Sequence, residues 1–238
     1  TDVHFHYRRS LWRRPIRALD GIDLQILPGD VFALLGPNGA GKSTAMYCLL
    51  GLLKPARGAV RVFGHPPEPG APYLDRVAYL PEEPHYHLYL SVEEAVTYYA
   101  SLYRRSGPKK RVREALERVG LAEFRDLRLA KCSKGMKQKA GIAACLVAEP
   151  ELLFLDEPTR GLDPIIVKEF RDILEEMNRG GTTIVLNSHV LSEVEMVSNR
   201  VAIMREGRVL VQDSLANLLK VDEELYDVTM ESGAETPD

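Results

Sequence analysis

Eight consecutive residues, 36–43, read Gly-Pro-Asn-Gly-Ala-Gly-Lys-Ser. This order matches the complete P-loop pattern, in which glycines let the backbone curl so that successive N–H groups face phosphate oxygens. Lys42 is then expected to reach the β- and γ-phosphates of a nucleotide, and the Ser43 hydroxyl to ligate Mg²⁺. The pattern predicts a nucleoside triphosphate site formed by Gly36, Pro37, Asn38, Gly39, Ala40, Gly41, Lys42, Ser43 and Thr44.

A second group of candidate residues lies where the apolar run 152–155 ends in Asp156 and Glu157. Ligands of an open α/β sheet bind at the carboxyl ends of its strands, so both carboxylates are expected beside the phosphates. Asp156 suits a Mg²⁺ ligand, directly or through water. Glu157 suits a general base that orients and deprotonates the attacking water. The alternative is a solvated acidic turn before Pro158, and the complete P-loop makes that the weaker interpretation.

These residues need strands and helices to position them. Apolar runs bounded by Gly and Pro predict strands at 20–27, 31–36, 59–63, 77–80, 152–156, 183–187 and 201–205, an alternating strand at 3–7, and a last hairpin through 205–208. Helical periodicity follows Gly41 and recurs at 91–104, 109–119, 134–148, 165–178 and 190–198. Several strands are apolar at consecutive positions, as strands buried on both faces are. The fold class is therefore α/β, with a mostly parallel sheet covered by helices.

The interval from about 85 to 148 has helical periodicity and no convincing strand, which predicts an all-helical lobe inserted into the α/β core. The acidic stretch 221–238 is predicted to be a frayed tail, so the chain is expected to form one domain, 1–238. Because Thr1 stands just before a strand already under way, we expect the native sequence to begin several residues upstream.

The composition argues against some classes of binding partner. The chain of 238 residues is 45% hydrophobic and 27% charged with a net charge of −3, which gives no general attraction to nucleic acid or anionic lipid. Its apolar stretches are far shorter than the ~20 residues of a membrane helix. Three cysteines, Cys48, Cys132 and Cys145, have no metal-like spacing and are interpreted as reduced thiols that pack as small hydrophobic groups.

Three further motifs in the sequence resemble those of one known family. Residues 132–138 read Cys-Ser-Lys-Gly-Met-Lys-Gln, Gly161-Leu162-Asp163 follows the acidic strand, and His189 follows the strand at 183–187. They resemble the signature, the D-loop and the switch histidine of ABC ATPases, and the five motifs stand in family order over essentially the whole chain. The resemblance implies a P-loop NTPase core with an N-terminal antiparallel β subdomain. It also implies ATP and Mg²⁺ as cofactors.

The resemblance further implies a head-to-tail dimer, with ATP between the P-loop of one subunit and the signature of the other. Ser133 and Gly135 would then face the partner's γ-phosphate, Asp163 would lie at the nucleotide, and His189 would hold the attacking water near Glu157. For Ser133 the alternative is ordinary helix capping. Adenine would stack on an aromatic ring near the N-terminus, with Tyr7 preferred over Trp12, although either ring is equally suited to packing.

Some residues depart from the family pattern. Glu82 occupies the place of the family's Q-loop glutamine. We therefore expect Glu82 to have a catalytic and Mg²⁺-binding role and to add a negative charge to the site. Lys134 and Met136 replace the usual Gly and Gln of the signature. Together with the Leu-Pro-Glu-Glu-Pro stretch at 80–84 these departures resemble the exporter branch, which moves drugs, lipids, glycans or ions outward.

The function expected from the resemblance is that of a transporter ATPase, most simply a homodimer. It would lie in the cytoplasm on the inner face of the membrane, bound to an integral membrane permease and not to nucleic acid. One alternative is a non-transport ABC ATPase acting on ribosomes or DNA, whose usual second cassette or long coiled-coil insertion is not found here. Another is a module that has lost catalysis, which the intact Lys42, Asp156, Glu157 and His189 argue against.

Overall fold

The structure, a computed structural model, describes residues 1–7, 15–102 and 109–220. Its strands are β1 (Val3–Tyr7), β2 (Ile16–Ile22), β3 (Val31–Leu35), β4 (Val77–Leu80), β5 (Leu152–Asp156), β6 (Thr183–Ser188), β7 (Arg200–Arg205) and β8 (Arg208–Ser214). Its α-helices are α1 (Lys42–Leu49), α2 (Val92–Ser101), α3 (Lys109–Arg118), α4 (Lys134–Ala148), α5 (Pro164–Arg179), α6 (Leu191–Val197) and α7 (Leu215–Leu218). None of the helices within these ranges is long and apolar enough to span a membrane.

Six strands form one sheet in the order β4-β5-β6-β3-β7-β8, and only the β7–β8 pair in it is antiparallel. Every residue of β3 and of β5 is buried. This burial is what the unbroken apolar runs predict for strands covered on both faces. The parallel order places the carboxyl ends of β3, β5 and β6 side by side at one edge of the sheet, which we call the nucleotide edge. The α/β class with a mostly parallel sheet is confirmed.

The remaining two strands, β1 and β2, pair antiparallel as a separate sheet, which confirms the antiparallel N-terminal part. The strand predicted at 20–27 is shifted, because β2 starts at Ile16 and ends at Ile22. Its bounds follow its partner: Tyr7 pairs with Ile16 and Val3 pairs with Ile22. Long-range pairing therefore overrides the local apolar pattern here.

The strand predicted at 59–63 is wrong. Val62 and His65 exchange both backbone hydrogen bonds across Phe63 and Gly64, whose φ angles are 51° and 80°. Two consecutive residues with positive φ make a tight turn, so the apolar residues at 59–63 lead into that turn and form no strand. A similar two-residue turn at Glu206 and Gly207 closes the β7–β8 hairpin, as predicted.

The predicted helices are present, and their bounds are close to those expected, although α2 ends at Ser101 and not at 104. Between Val92 and Ala148, the described residues form α2, α3, α4 and two short 3-10 helices, Ala122–Phe124 and Leu129–Lys131, with none of the strands named above. We call 92–148 the helical lobe. Trp12, the second choice for adenine stacking, and the tail predicted at 221–238 lie outside the described residues.

The lobe is joined to the sheet by a shared hydrophobic core. One buried cluster includes Val92 and Leu116 of the lobe together with Leu153 of β5 and Phe170 of α5. Helix α2 starts with a complete capping box, in which the Ser91 hydroxyl accepts from Glu94 N and the Glu94 carboxylate accepts from Ser91 N. The lobe therefore begins at a defined residue and packs directly on the nucleotide edge.

Candidate nucleotide-binding site

Gly36 and Gly41, in the loop that joins β3 to α1, lie against the backbone of β7 and β2 with no room for a side chain. A Cβ on Gly36 would lie 2.2 Å from the Met204 carbonyl oxygen, and one on Gly41 would lie 2.6 Å from the Ala18 carbonyl oxygen. Gly41 also has a φ of 104° and caps α1, a conformation that glycine adopts without strain. The loop therefore brings backbone N–H groups to the start of a helix, a favourable place for phosphate.

Lys42 is buried under this loop. Its Nζ donates to the carbonyl oxygens of Gly36, at 2.7 Å, and Pro37, at 3.3 Å, and lies 3.5 Å from Glu157 Oε1. Only 6% of its side chain is exposed, so the ammonium relies on these oxygens for the hydrogen bonds that water would otherwise provide. The lysine of the P-loop and the acidic residue after β5 are thus in contact within one chain.

Asp156, at the end of β5, accepts three side-chain hydrogen bonds. Its Oδ1 accepts from Ser43 Oγ at 3.1 Å and from Asn187 Nδ2 at 2.8 Å, and its Oδ2 accepts from Tyr47 OH at 3.3 Å. Burial raises the pKa of Tyr47, which keeps the phenol a proton donor. Two of the three residues predicted to bind Mg²⁺, Ser43 and Asp156, are therefore adjacent. A hydroxyl and a carboxylate are oxygen ligands of the kind Mg²⁺ takes while it keeps several waters, so this donor set fits that ion.

No sequence motif predicts Tyr47 and Asn187, but signals for both exist. Tyr47 stands four residues after Ser43, on the same face of α1. Asn187 is a polar residue that interrupts the apolar run of β6, and it pairs in register with Asp156. Its side chain is fully buried, and its Oδ1 has no hydrogen-bond partner within the described residues. A polar residue at the end of a buried strand is therefore a usable sign of a site at this edge.

Glu157 and His189 meet at the same edge. Glu157 is 8% exposed and has a φ of 45°, an unusual conformation for a residue with a side chain and one that is concentrated at functional sites. Its Oε2 lies 2.8 Å from His189 Nδ1, which follows β6. With Lys42 near Oε1, the carboxylate is held from two sides. The carboxylate thus has a fixed position and a neighbour that can exchange a proton with it.

Glu82 lies two residues beyond the end of β4. Its Oε1 is 2.5 Å from Arg160 Nη1, and its carbonyl oxygen accepts from the buried Gln138 Nε2 at 3.4 Å. The carboxylate predicted to serve catalysis and Mg²⁺ therefore pairs with an arginine, while Ser43 and Asp156 bond to each other. No sequence motif predicts Arg160, because the 78 residues that separate it from Glu82 leave no local signal.

An open cavity of about 560 Å³ joins these residues. It is bounded by β1 and β2, by the P-loop and by residues that follow β4 and β5. This volume lies within the usual range for a small-molecule site, about 300–1,000 Å³. Tyr7 is part of its wall, with its hydroxyl 3.2 Å from Thr44 Oγ1. The lining comprises Tyr7, Ile16, Arg17, Ala18, Asn38, Gly39, Ala40, Gly41, Lys42, Ser43, Thr44, Glu82, Glu157 and Arg160.

Three predicted residues lie elsewhere. Ser133 caps α4, with its hydroxyl accepting from Met136 N, and Asp163 caps α5, accepting from Ile165 N and Ile166 N. Gly135 is buried against Ile166, since a Cβ on Gly135 would lie 2.4 Å from Ile166 Cδ1. The structure thus brings the signature and the D-loop together, and neither is part of the cavity wall in its own chain.

Known proteins resemble this chain over most of its length. A family model described as "ABC transporter" matches residues 19–160. An uncharacterized ABC transporter ATP-binding protein of Nostoc sp. is 39% identical over 225 residues, covering 92% of this chain and 67% of that protein. A bacitracin transport ATP-binding protein of Enterococcus faecalis is 40% identical over 201 residues, covering 84% and 65%.

The fold has solved counterparts as well. A structure of the ATP binding subunit of an ABC transporter superposes with a TM-score of 0.79 at 30% identity, covering 91% of this chain and 89% of that one. The chain spans about two thirds of the length of the curated relatives it matches.

Proposed function

The chain belongs to the ABC transporter family of ATP-binding proteins, and from this premise we propose that it binds and hydrolyses ATP to drive a membrane transporter. The observation that carries the proposal is the contact of Glu157 with both Lys42 and His189. It supports the proposal because a carboxylate suited to a general base, a buried ammonium suited to phosphate and an imidazole meet at one edge of the sheet, beside an open cavity.

In the proposed reaction, the backbone N–H groups of residues 36–41 and the start of α1 hold the β-phosphate. Lys42 exchanges its contacts with the Gly36 and Pro37 carbonyls for the β- and γ-phosphates, which frees Glu157 Oε1. Mg²⁺, held by Ser43 and Asp156, would supply positive charge that stabilises the developing charge on the phosphates. Tyr47 and Asn187 orient the Asp156 carboxylate for that role.

Glu157 accepts a proton from the attacking water and orients it toward the γ-phosphate, as a general base does. His189 lies on the Oε2 side and keeps the carboxylate aimed while it contacts the γ-phosphate. Tyr7, at the cavity wall, stacks on the adenine ring. Glu82 is part of the cavity wall, between the end of β4 and the helical lobe, in a position to contact the attacking water and the metal.

The proposed active form is a head-to-tail dimer. Ser133, Gly135 and Asp163 lie outside the cavity of their own chain, while Ser133 and Asp163 are exposed at helix starts, where N–H groups favour a phosphate of a second copy. A two-fold dimer of this kind forms two equivalent sites. We propose a homodimer, with each chain forming one ATPase domain.

The proposed partner is an integral membrane permease at the cytoplasmic face of the membrane, and the proposed direction of transport is export. The likeness to a bacitracin transport ATP-binding protein supports transport, and the Glu82 and Lys134 departures support the exporter branch. Nucleotide-driven closure of the dimer would move the helical lobe against the permease. The relatives are named as transporter subunits, so we propose no role on ribosomes or nucleic acid.

The test is ATP hydrolysis by the full chain and by Glu157→Gln. We expect the variant to bind ATP like the unaltered chain, to lose turnover by a factor of about 100 or more, and to accumulate as a dimer in ATP. The matched control is Glu195→Gln on the exposed face of α6, which we expect to turn over normally. Equal rates for Glu157→Gln and the unaltered chain would remove Glu157 as the base.

A further inference from the structure

Arg160 has three contacts that link the nucleotide edge to the helical lobe. Its backbone N donates to the Glu157 carbonyl at 3.2 Å, so it is part of the loop that presents the proposed base. Its guanidinium pairs with Glu82, and its carbonyl accepts from Lys134 Nζ at 2.6 Å. Glu82 and Lys134 are two of the departures from the family pattern, so both departures converge on this arginine.

Glu82 creates an electrostatic problem in this cavity. The wall already carries Glu157, with Asp156 just behind the P-loop, and the expected ligand is a triphosphate with several negative charges. A further unpaired carboxylate would repel that ligand, whereas the glutamine expected at this place by resemblance has no charge. The guanidinium of Arg160 carries the opposite charge and cancels that of the Glu82 carboxylate.

We propose that Arg160 is a positioning residue for Glu82. It neutralises the Glu82 carboxylate and holds it at the cavity wall, so that ATP binds beside an acidic residue without a penalty. The inference rests on the proposed function. The Arg160–Glu82 pair is expected to affect nucleotide affinity and not folding. The two side chains are 47% and 33% exposed, and an exposed pair adds little to stability.

The geometry allows a clean test, because Arg160 reaches Lys134 and Glu157 only through its backbone. Arg160→Met keeps the unbranched apolar part of the side chain and both backbone contacts, and removes the guanidinium with its charge and its hydrogen bond to Glu82. The experiment measures binding of a fluorescent ATP analogue with Mg²⁺ to the full chain, Arg160→Met, Glu82→Gln and the double variant. Arg179→Met is the control, because Arg179 pairs with Glu175 in an exposed contact on α5.

We expect Arg160→Met to weaken analogue binding roughly fivefold to tenfold, and Glu82→Gln to strengthen it. The double variant should return to within about twofold of the unaltered chain, since with Glu82 gone no charge needs cancelling. The defect of Arg160→Met should shrink as salt is added, because screening weakens the repulsion. Arg179→Met should bind normally, and all four variants should melt at the temperature of the unaltered chain.

Different failures point to different errors. A double variant as weak as Arg160→Met would overturn the inference, because Arg160 would then act on the nucleotide itself. Normal binding by Arg160→Met would overturn it as well. If the unaltered chain failed to bind the analogue, the proposed function would fall together with this inference, whereas binding without rescue overturns the inference alone.

Discussion

The nucleotide edge of the sheet and the helical lobe use polar residues in opposite ways. At the edge, Lys42, Asp156, Glu157 and Asn187 are all buried, and each contacts at least one of the others. In the lobe, Ser133 is exposed and bonds only to its own helix within the described residues. The candidate residues at the edge are therefore organised within one chain, while the lobe presents Ser133 outward.

The surface of the lobe adds to this contrast. Tyr89, just before α2, is 70% exposed, and Tyr98 and Leu102 are 44% and 66% exposed. Large apolar side chains at the surface gain contacts only when a partner covers them. The comparison teaches that the candidate residues at the edge are already paired within the chain, whereas Ser133, which we propose acts on a second copy, is an exposed helix cap.

The largest expected effect comes from damaging the edge in one chain and the lobe surface in another, and then mixing the two chains. Lys42→Ala disables the edge and Ser133→Arg disables the lobe surface, so we expect each variant alone to lose nearly all ATP hydrolysis. A mixture of the two should recover about a quarter of the normal rate. With random pairing about half of the dimers are mixed, and each mixed dimer has one intact site out of two.

The control for this experiment is a chain that carries both substitutions, mixed with the unaltered chain at the same ratio. Its mixed dimers carry one damaged P-loop and one damaged signature in separate sites, so they contain no intact site. The quarter of the dimers that pair two unaltered chains still hydrolyse ATP, so this mixture is also expected at about a quarter of the normal rate. Hydrolysis rates at equal total protein measure the outcome. If the lobe acted within its own chain, the first mixture would not recover and the control would keep about half of the normal rate, and the comparison would fail.

A smaller effect is expected from the same substitution made once in each region. Gly36→Ala places a methyl group 2.2 Å from a backbone oxygen of Met204, in β7, which is hydrogen-bonded to β3 on one side and β8 on the other. Gly135→Ala places one 2.4 Å from the end of the Ile166 side chain, which can rotate away. We expect destabilisation of about 3 kcal/mol or more for Gly36→Ala and about 1 kcal/mol for Gly135→Ala, measured by urea unfolding. Equal losses would show that the lobe is packed as rigidly as the edge.

What the sequence predicts follows the same division. The P-loop, the acidic end of β5 and the unbroken apolar strands are local patterns whose spacing carries the chemistry, so the sequence places them well. Contacts between distant residues leave no such signal: the bounds of β2 depend on β1, and the Glu82 pair depends on Arg160. The turn at Phe63 shows a third case, because an apolar residue occupies a left-handed position that composition alone assigns to a strand.

A loss of about 1 kcal/mol is expected at the start of the lobe. Ser91→Ala removes the hydroxyl that accepts from Glu94 N, leaving a backbone donor of α2 without its cap. Ser91→Asp, which keeps an acceptor, should retain most of the stability. The free energy of unfolding of both variants measures the effect, and nucleotide binding at the edge should stay unchanged. A change in nucleotide affinity would mean that the cap of α2 is coupled to the cavity.

The smallest effect concerns the interiors of the two regions, which we expect to behave alike. Cys48 in α1 and Cys145 in α4 are both buried, and burial raises the pKa of Cys48 to about 11 and of Cys145 to about 12. Thiolate is the reactive form, so neither thiol should be alkylated by iodoacetamide in the folded chain at pH 8, whereas both should react in urea.

The raised pKa values also fix how stability depends on pH. In the unfolded chain the thiols ionise near pH 8.5, whereas in the folded chain they stay neutral to higher pH. The contribution of the two buried thiols to the free energy of unfolding is therefore complete below pH 8.5 and declines as the pH rises toward 11 and 12. Unfolding measured between pH 8 and 10 should show this decline, and Cys48→Ala and Cys145→Ala should each reduce its slope by a similar amount. Unequal slopes would mean that one interior admits water. Equal slopes for the two variants would mean that both interiors exclude water to the same degree. The edge and the lobe would then differ only at their surfaces.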